Sequence, residues 1–170
     1  SRSTDYLGYA AMRKVLYISG TRADYGPARR LLLKLNEHSE FELGILVTGM
    51  HLDPSHGETW TEIEEDGLNI VEKIHGRLVG DSLSAMSASI GLYLYGMSHA
   101  VERYAPDIVL VLGDRGEQLA GAMAAAYQNI TVAHLCGGTL SGSIDDSIRH
   151  AITKFAHHHF PGFDEAADRI

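Results

Sequence analysis

The sequence predicts an α/β fold in which a doubly wound parallel sheet carries helices on both faces. Two observations predict it. Short apolar segments alternate with longer segments whose apolar residues recur at helical spacing, as in successive β-α-β units. The apolar segments also end at glycine or polar residues, as buried parallel strands do. With 170 residues, 45% of them hydrophobic, the chain can pack one such domain.

Six short segments are predicted to be strands, most of them apolar and bounded by turn residues. The first covers residues 14–19 and ends at Gly20, and the second, 41–47, is closed by Thr48 and Gly49. The remaining four cover residues 69–74, 107–112, 131–135 and 157–161. Strands separated by helical segments of this length need crossover connections, so a Rossmann-like sheet is expected.

Helical spacing of apolar residues predicts the segments between the strands. A helix is predicted over residues 27–37, where Pro27 suits a first turn, and a long helix over residues 82–103. The apolar residues that define the core-facing side of the long helix are Leu83, Met86, Ile90, Leu94, Met97 and Val101. Shorter helices are predicted over residues 58–65, 117–128 and 145–156, and another begins at Asp164.

Composition argues against several classes of partner. The net charge of -8 and the pI near 5.6, with scattered lysines and arginines, give no basic surface for nucleic acid or an anionic membrane. No apolar run reaches the roughly 20 residues of a membrane-spanning helix. A single cysteine, Cys136, excludes an internal disulfide and suits a reducing compartment, so a cytoplasmic location is expected.

The two ends of the sequence lead to expectations about its domains. Residues 1–11 lack the basic and apolar segments of a signal peptide, and Met12 looks like a natural start. Residues 1–11 are therefore interpreted as an expression-vector remnant. The sequence stops inside a helical pattern that has just begun at Asp164, so residues 12–170 are interpreted as one domain of a longer protein.

The loop after the first predicted strand, GTRADYG at residues 20–26, is a candidate phosphate site. It lies where a strand turns into a helix, and the free amides of a helix N-terminus attract phosphate. Arg22 would add a bidentate donor. The loop matches neither the Walker motif nor the three-glycine dinucleotide fingerprint, so a tight turn with a surface arginine is the alternative.

A second charged loop, residues 113–115, follows the fourth predicted strand. We expect Asp114 and Arg115 to project into the same crevice as Arg22, because the carboxyl ends of parallel strands share one edge of the sheet. The alternatives are structural: an ion pair or helix N-cap for Asp114, and a capping box completed by Glu117.

A third loop follows the strand that contains His134. Its helix opens with Asp145 and Asp146, which also interact favourably with the helix dipole. Arg149 lies four residues from Asp145, and His150 four from Asp146, so each pair can meet on one helix face. A carboxylate, an arginine and a histidine at a phosphate-binding crevice would form an acid/base site, although each residue taken alone can be structural.

The three consecutive histidines at residues 157–159 do not predict a metal site. Adjacent residues of a strand point to opposite faces, and no cysteine or histidine spacing typical of zinc accompanies them. Cys136 has no partner histidine evident in the sequence, so a nucleophilic thiol is not predicted either. No metal and no cofactor are expected.

The three loops together resemble a known family. GTRADYG at 20–26, GDR at 113–115 and GGTLSGSIDDSIRHAITKFAHHHF at 137–160 are similar to motifs of the N-terminal half of the hydrolysing UDP-N-acetylglucosamine 2-epimerases, especially the sialic-acid-pathway branch. The resemblance implies two Rossmann-like domains in the GT-B arrangement, with the active site in the cleft between them. Residues 12–170 would form the first domain, and the C-terminal domain of the same protein would be its partner.

The resemblance also implies a reaction and a set of residues. Family enzymes convert UDP-N-acetylglucosamine and water to N-acetylmannosamine and UDP, by elimination of UDP and hydration of the glycal, without a cofactor. By resemblance, the catalytic residues are Asp114 and Asp145, and the substrate-binding residues are Arg22, Arg115, Arg149, His150, Gly20, Thr21, Gly26 and His134.

Two departures from the family pattern keep other functions open. Cys136 and Thr139 stand where family members often have carboxylates, and neither can replace a carboxylate base at neutral pH. A non-catalytic sugar-nucleotide-binding module and half of a GT-B glycosyltransferase are the alternatives. The isolated chain is expected to be inactive and, because a missing domain leaves apolar surface exposed, to associate as a homodimer.

Overall fold

The computed structural model describes residues 11–78 and 82–170, and residues 1–10 of the predicted vector remnant lie outside the described residues. Its strands are β1 (Arg13–Ser19), β2 (Phe41–Thr48), β3 (Ile70–Ile74), β4 (Ile108–Leu112), β5 (Thr131–Leu135) and β6 (His158–Phe160). They form one parallel sheet in the order β3-β2-β1-β4-β5-β6. The predicted doubly wound sheet is confirmed.

In the part of the chain that the structure describes, six α-helices connect or follow the strands: α1 (Arg22–Glu37), α2 (Thr61–Glu65), α3 (Leu83–Tyr104), α4 (Gly116–Tyr127), α5 (Ile144–Phe155) and α6 (Asp164–Ala167). Two short 3₁₀ helices, Gly49–Leu52 and Pro54–His56, lie between β2 and α2, where the sequence predicted none. Among the described residues no helix combines the length and apolarity that crossing a membrane requires.

The strand order reverses between β1 and β4, and this reversal places the site. The connection after β1 leads to α1 on one face of the sheet, whereas the connection after β4 leads to α4 on the other. Connections that diverge in this way leave a crevice at the carboxyl edge of the sheet. The turn after β5 lies beside the turn after β4, so all three predicted loops reach this edge.

The sheet separates two hydrophobic cores. Alternate residues of β1 face opposite sides: Leu16 and Ile18 pack with α3, α4 and α5, while Val15 and Tyr17 pack with α1 and α2. All four side chains are buried. A central strand buried on both faces explains why its sequence is continuously apolar rather than alternating.

Helix α1 begins five residues before the predicted start. Thr21 is its N-cap and forms a capping box with Asp24, and Pro27 lies inside the helix instead of opening it. The capping-box pattern is present in the sequence, but the prediction gave more weight to Pro27. The difference matters because it puts Arg22, Asp24 and Gly26 on a helix rather than in a loop.

The core-facing side predicted for α3 is wrong over its first turns. Leu83 and Met86 are 83% and 59% exposed, whereas the buried residues of the helix are Ser89, Tyr93, Met97, Ala100 and Val101. Ser89 is accommodated because its hydroxyl donates to the Ala85 carbonyl and accepts from the Leu78 amide. Because its hydrogen bonds are satisfied, Ser89 can lie on the buried side of α3. The buried side therefore differs from the side that the hydrophobic residues alone predicted.

Candidate functional site

The first turn of the crevice is closed by a buried carboxylate. Asp24 is 2% exposed and accepts hydrogen bonds from the amides of Gly20 (2.9 Å) and Thr21 (3.0 Å) and from the Ser19 hydroxyl (2.6 Å). Burial raises the pKa of Asp24 to about 6. The expectation that these two amides are free for phosphate is therefore wrong. An anion bound at this turn cannot use these two amides while Asp24 holds them.

Arg22 is the first such side chain, and it lies at the surface. Its guanidinium pairs with Glu62 of α2, with side chains 68% and 35% exposed. Exposed pairs of this kind contribute about 0–1 kcal/mol, so a phosphate can displace Glu62 at small cost. Gly26 is also exposed, and nothing lies within 4 Å of the place where its Cβ would be.

Arg22 and Gly26 line a cavity of about 400 Å³ on the outer side of α1, whose other walls are Tyr25, Arg29, Glu62, Glu65 and Asp66. Three of these walls are carboxylates, which makes the cavity itself unsuited to a phosphate. Asp114 and Asp145 do not line it. The structure thus brings the predicted turns to one edge but leaves the side chains of Arg22 and Asp114 in separate contacts.

Arg149 connects the second and third turns. It is 5% exposed and donates to the Thr139 carbonyl (2.5 Å), to Asp146 (2.9 Å) and to Asp114. We call Arg149, Asp114 and Asp146 the Arg149 cluster. Asp114 forms an ion pair, but with Arg149 of α5 and not with the adjacent Arg115, and the N-cap alternative is wrong because Arg115 occupies that position.

The pairing expected along α5 differs from the pairing found. Arg149 pairs with Asp146 three residues before it instead of Asp145 four before it, since Asp146 also caps the preceding loop. Hydrogen bonds from the Ser141 and Gly142 amides lower the pKa of Asp146 to about 2. Asp145 is exposed and accepts from the Ser143 hydroxyl (3.0 Å). His150 is also exposed, and its predicted pairing with Asp146 is not among the contacts of the described residues.

Arg115 and Glu117 lie at the bottom of the crevice. Arg115 Nη2 is 3.5 Å from Glu117 Oε1, and the buried Nε of Arg115 has no partner among the described residues. The predicted capping box is wrong, because Glu117 is buried against the turns that contain Gly20 and Gly49. A Cβ at Gly49 would lie 2.7 Å from Glu117 Oε1, so the carboxylate occupies space that only a glycine leaves open.

His134 supports the site from below. It is fully buried, its Nε2 donates to the Gly113 carbonyl (2.8 Å), and its Nδ1 is 3.2 Å from the Thr153 hydroxyl. Burial lowers its pKa, so the ring is neutral at pH 7. The expected substrate contact does not fit this burial, because the ring can reach a ligand only through the turn that it holds.

The remaining sequence candidates are placed as follows. Cys136 is exposed and has a left-handed backbone, with φ 60°. His157 accepts a hydrogen bond from the Val132 amide (3.1 Å). Within residues 11–78 and 82–170 no three metal-ligating side chains come together.

One residue that the sequence analysis missed is His51, from the first 3₁₀ helix. It is fully buried, and its amide donates to the Gly20 carbonyl (3.1 Å). The available signal was its place three residues after β2, whose carboxyl end lies beside that of β1.

Comparison with known proteins gives a consistent result. The family model described as UDP-N-acetylglucosamine 2-epimerase matches residues 33–170. A UDP-N,N'-diacetylbacillosamine 2-epimerase (hydrolyzing) of Legionella pneumophila is 45% identical, over 94% of this chain and 42% of that protein. A UDP-N-acetylglucosamine 2-epimerase of Neisseria meningitidis is 36% identical, over 94% of this chain and 41% of that protein. The chain therefore spans about two fifths of the length of these curated relatives.

Solved structures show the same fold. The crystal structure of UDP-GlcNAc 2-epimerase from Neisseria meningitidis bound to UDP-GlcNAc superposes with a TM-score of 0.79 at 20% identity, covering 92% of this chain and 42% of that one.

Proposed function

Because the chain belongs to the UDP-N-acetylglucosamine 2-epimerase family, we propose that it is the N-terminal domain of a hydrolysing 2-epimerase that acts on UDP-N-acetylglucosamine. The observation that carries the proposal is the Arg149 cluster, which holds a partly exposed carboxylate, Asp114, at the switch-point crevice. The products would be UDP and N-acetylmannosamine. The hydrolysing subtype is supported by the name of the Legionella relative.

Hydrolytic 2-epimerisation of a UDP-sugar requires three steps. A base removes the C2 proton, the C1–O bond to UDP breaks, and water then adds to the glycal, leaving hydroxyl at C1 and hydrogen at C2 in the opposite configuration. Asp114, an ion-paired carboxylate with its side chain 29% exposed, is suited to accept or return a proton. Asp145, exposed one turn before Arg149, is the second carboxylate that water or substrate can reach.

The departing diphosphate requires positive charge. Arg22 can leave its exposed partner Glu62, and Arg115 carries a buried Nε that is unpaired among the described residues. Guanidinium groups are suited to this role because their fork matches the oxygens of a phosphate. We therefore assign phosphate binding to these two side chains and not to the amides of Gly20 and Thr21.

The carboxylates missing at Cys136 and Thr139 are not replaced by Glu117. Its side chain is 8% exposed and is buried beneath the first turn, so it cannot contact a sugar in this conformation. The proposal therefore places the acid and base functions on Asp114 and Asp145 alone.

A second domain would complete the site. Apolar side chains are exposed at the start of α5 and the loop before it, and at the end of β6 and the turn after it, namely Leu140, Ile144, Phe160 and Phe163. Apolar surface of this kind is typical of a contact with another part of the protein. We assign it to the C-terminal domain, and we keep the cytoplasmic location and the sialic-acid branch as parts of the proposal.

The sugar has a second candidate. The Legionella relative, at 45% identity, is named for UDP-N,N'-diacetylbacillosamine, whereas the Neisseria relative, at 36%, is named for UDP-N-acetylglucosamine. The two sugars share the UDP group and the 2-acetamido substituent at the reacting carbon. The higher identity of the Legionella relative is the observation that supports UDP-N,N'-diacetylbacillosamine as the second candidate substrate.

The test is product analysis of the full-length protein with each UDP-sugar in turn. Release of UDP together with the free 2-epimer of one sugar supports the proposal and identifies that sugar. Folded protein that binds the UDP-sugar in calorimetry without turnover indicates a non-catalytic module instead. Transfer of the sugar to an added acceptor, with no free sugar released, indicates a GT-B glycosyltransferase.

A further inference from the structure

Four buried polar side chains form a continuous hydrogen-bonded series beneath the first turn of the crevice. We call Thr59, His51, Ser19 and Asp24 the Asp24 network; they are 8%, 0%, 0% and 2% exposed, respectively. The Thr59 hydroxyl is 2.7 Å from His51 Nδ1, His51 Nε2 is 2.9 Å from the Ser19 hydroxyl, and that hydroxyl is 2.6 Å from Asp24 Oδ1. Because burial removes these side chains from water, each must find its hydrogen-bond partner within the protein, and the network therefore has a defined arrangement.

The hydrogens of the network can be placed by elimination. An ionised carboxylate only accepts, so the Ser19 hydroxyl uses its single hydrogen to donate to Asp24. The same oxygen must then accept from His51, which requires a hydrogen on Nε2. Burial lowers the pKa of His51 to about 4, so the ring is neutral and its Nδ1 accepts from Thr59. Every donor in the network points toward Asp24.

His51 holds the turn at two points. Its amide donates to the Gly20 carbonyl (3.1 Å), and its ring fixes Ser19, the last residue of β1. Asp24 holds the same turn from the other side through the Gly20 amide. Gly20 is therefore fixed at both its carbonyl and its amide, two residues before Arg22.

We propose that His51 is a positioning residue for the β1–α1 turn, and through that turn for Arg22, when the protein binds the diphosphate of a UDP-sugar. The inference rests on the proposed function. His51 is fully buried, so it can act on a bound diphosphate only through its neighbours in the turn, Ser19, Gly20 and Thr21. Its effect follows from preorganisation: a side chain that binds phosphate loses less entropy when the backbone beneath it is already fixed.

The experiment compares His51→Leu with His51→Gln in the full-length protein. Leucine removes both ring contacts at similar volume, whereas glutamine keeps a donor for Ser19. We expect His51→Leu to weaken UDP binding in calorimetry by about 10-fold and to raise KM by a similar factor, with a smaller change in kcat. His51→Gln should recover most of that loss. A merely structural role predicts equal effects of the two variants on UDP affinity once both are folded.

The control is His99→Gln, an exposed histidine on α3 in edge contact with Tyr95, which should leave UDP affinity unchanged. If His51→Leu fails to fold, two other variants test the network. Ser19→Ala removes the bonds of Ser19 to Asp24 and His51, Thr59→Val removes the bond of Thr59 to His51, and both should weaken UDP binding. In the wild type, nitrogen NMR should find the His51 ring protonated on Nε2.

Three results would overturn the inference. They are a ring protonated on Nδ1, UDP affinity within twofold of the wild type in folded His51→Leu, and unchanged affinity in both Ser19→Ala and Thr59→Val. Absence of UDP binding by the wild type would overturn the proposed function and this inference together. Wild-type binding that the His51 variants leave intact would overturn the inference alone.

Discussion

The guanidinium of Arg149 bonds the carboxylate of Asp114, joining a helix after β5 to the turn after β4. The arginine side chain is 7% exposed and Asp114 is 29% exposed, so the arginine is sequestered while one side of the carboxylate still faces the crevice. The Asp146 carboxylate and the Thr139 carbonyl accept from Nη1 of the same guanidinium. This arrangement fixes a charged acceptor at the point where the strand order reverses.

Removing Arg149 should destabilise the domain strongly. In Arg149→Met, Asp114 and Asp146 lose their common cation, and breaking a largely buried pair costs about 3 kcal/mol. Urea unfolding measures the loss. Arg103→Met is the matched control, because Arg103 pairs with Glu72 at the surface and should contribute less than about 1 kcal/mol. Equal losses in the two variants would contradict the assigned role of the cluster.

Replacing Asp114 should affect turnover more than binding. Asp114→Asn keeps an acceptor for Arg149 but removes the base, so kcat of the full-length protein should fall about 100-fold or more. UDP affinity should change little, since Asp114 carries no positive charge for the diphosphate. Steady-state UDP release and calorimetry measure the two effects. Asp164→Asn, an exposed acid of α6, is the control, and a kcat near wild type in Asp114→Asn would refute the assignment.

The two titratable members of the Asp24 network should have opposite effects on stability as the pH falls. Asp24 has a folded pKa of about 6 against an ordinary value of 3.8, so its protonation favours the folded state between these pH values. His51 has a folded pKa of about 4 against an ordinary value of 6.5, so its protonation favours the unfolded state over nearly the same range. Each contribution is about 3 kcal/mol, and they largely cancel in the wild type.

Variants should expose each contribution. Between pH 7 and pH 5, Asp24→Asn should lose stability faster than the wild type, because only the His51 contribution remains. His51→Gln should gain stability relative to the wild type over the same range. The nearby charges are Glu117, which raises the pKa of Asp24, and Arg22, which lowers that of His51. Urea unfolding at each pH is the measurement. Stability profiles of both variants that run parallel to the wild type would disprove the opposite contributions of Asp24 and His51.

Gly49 should tolerate alanine poorly. Its φ is 59°, and a Cβ there would lie 2.7 Å from Glu117 Oε1 and 2.9 Å from the Gly20 carbonyl oxygen. Gly57→Ala is the control, because Gly57 has φ 81° but open space around it. We expect thermal unfolding to show a loss of about 1 kcal/mol for Gly57→Ala and a clearly larger one for Gly49→Ala. Equal losses would show that the contact with Glu117 carries no cost.

The exposed face of α3 should mediate contact with a second copy of the chain. Leu92 and Tyr95 are exposed on one side of the helix, and residues 83–101 contain no Asp, Glu, Lys or Arg, so two copies of the helix can meet without like-charge repulsion. Tyr95→Glu places a charge on this face and should shift a dimer to a monomer in sedimentation velocity. Lys34→Glu, on α1, is the control. A dimer that survives Tyr95→Glu unchanged would place the contact elsewhere.

Periodicity was sufficient for the sheet and insufficient for the surfaces of the helices. All six strands lie within two residues of their predicted positions. The central strands β1, β2, β4 and β5 are predictable because a strand buried on both faces needs a nearly unbroken apolar sequence, whereas the edge strands β3 and β6 are only partly buried. The inner face of α3 was misplaced, because Ser89 is buried through hydrogen bonds that a hydrophobicity pattern does not contain. The early start of α1 was present in the sequence as a capping box and was overlooked.

The sequence by itself determined the fold, the edge at which the charged turns meet and the resemblance of those turns to a family, since all three depend on the order of residues along the chain. Only the tertiary structure decided which charges pair. Arg149 bonds Asp114, 35 residues away, and Asp24 takes the amides that a phosphate was expected to bind. Pairing depends on which side chains the folded chain brings close together and which it removes from water. The spacing of residues along the sequence determines neither of these.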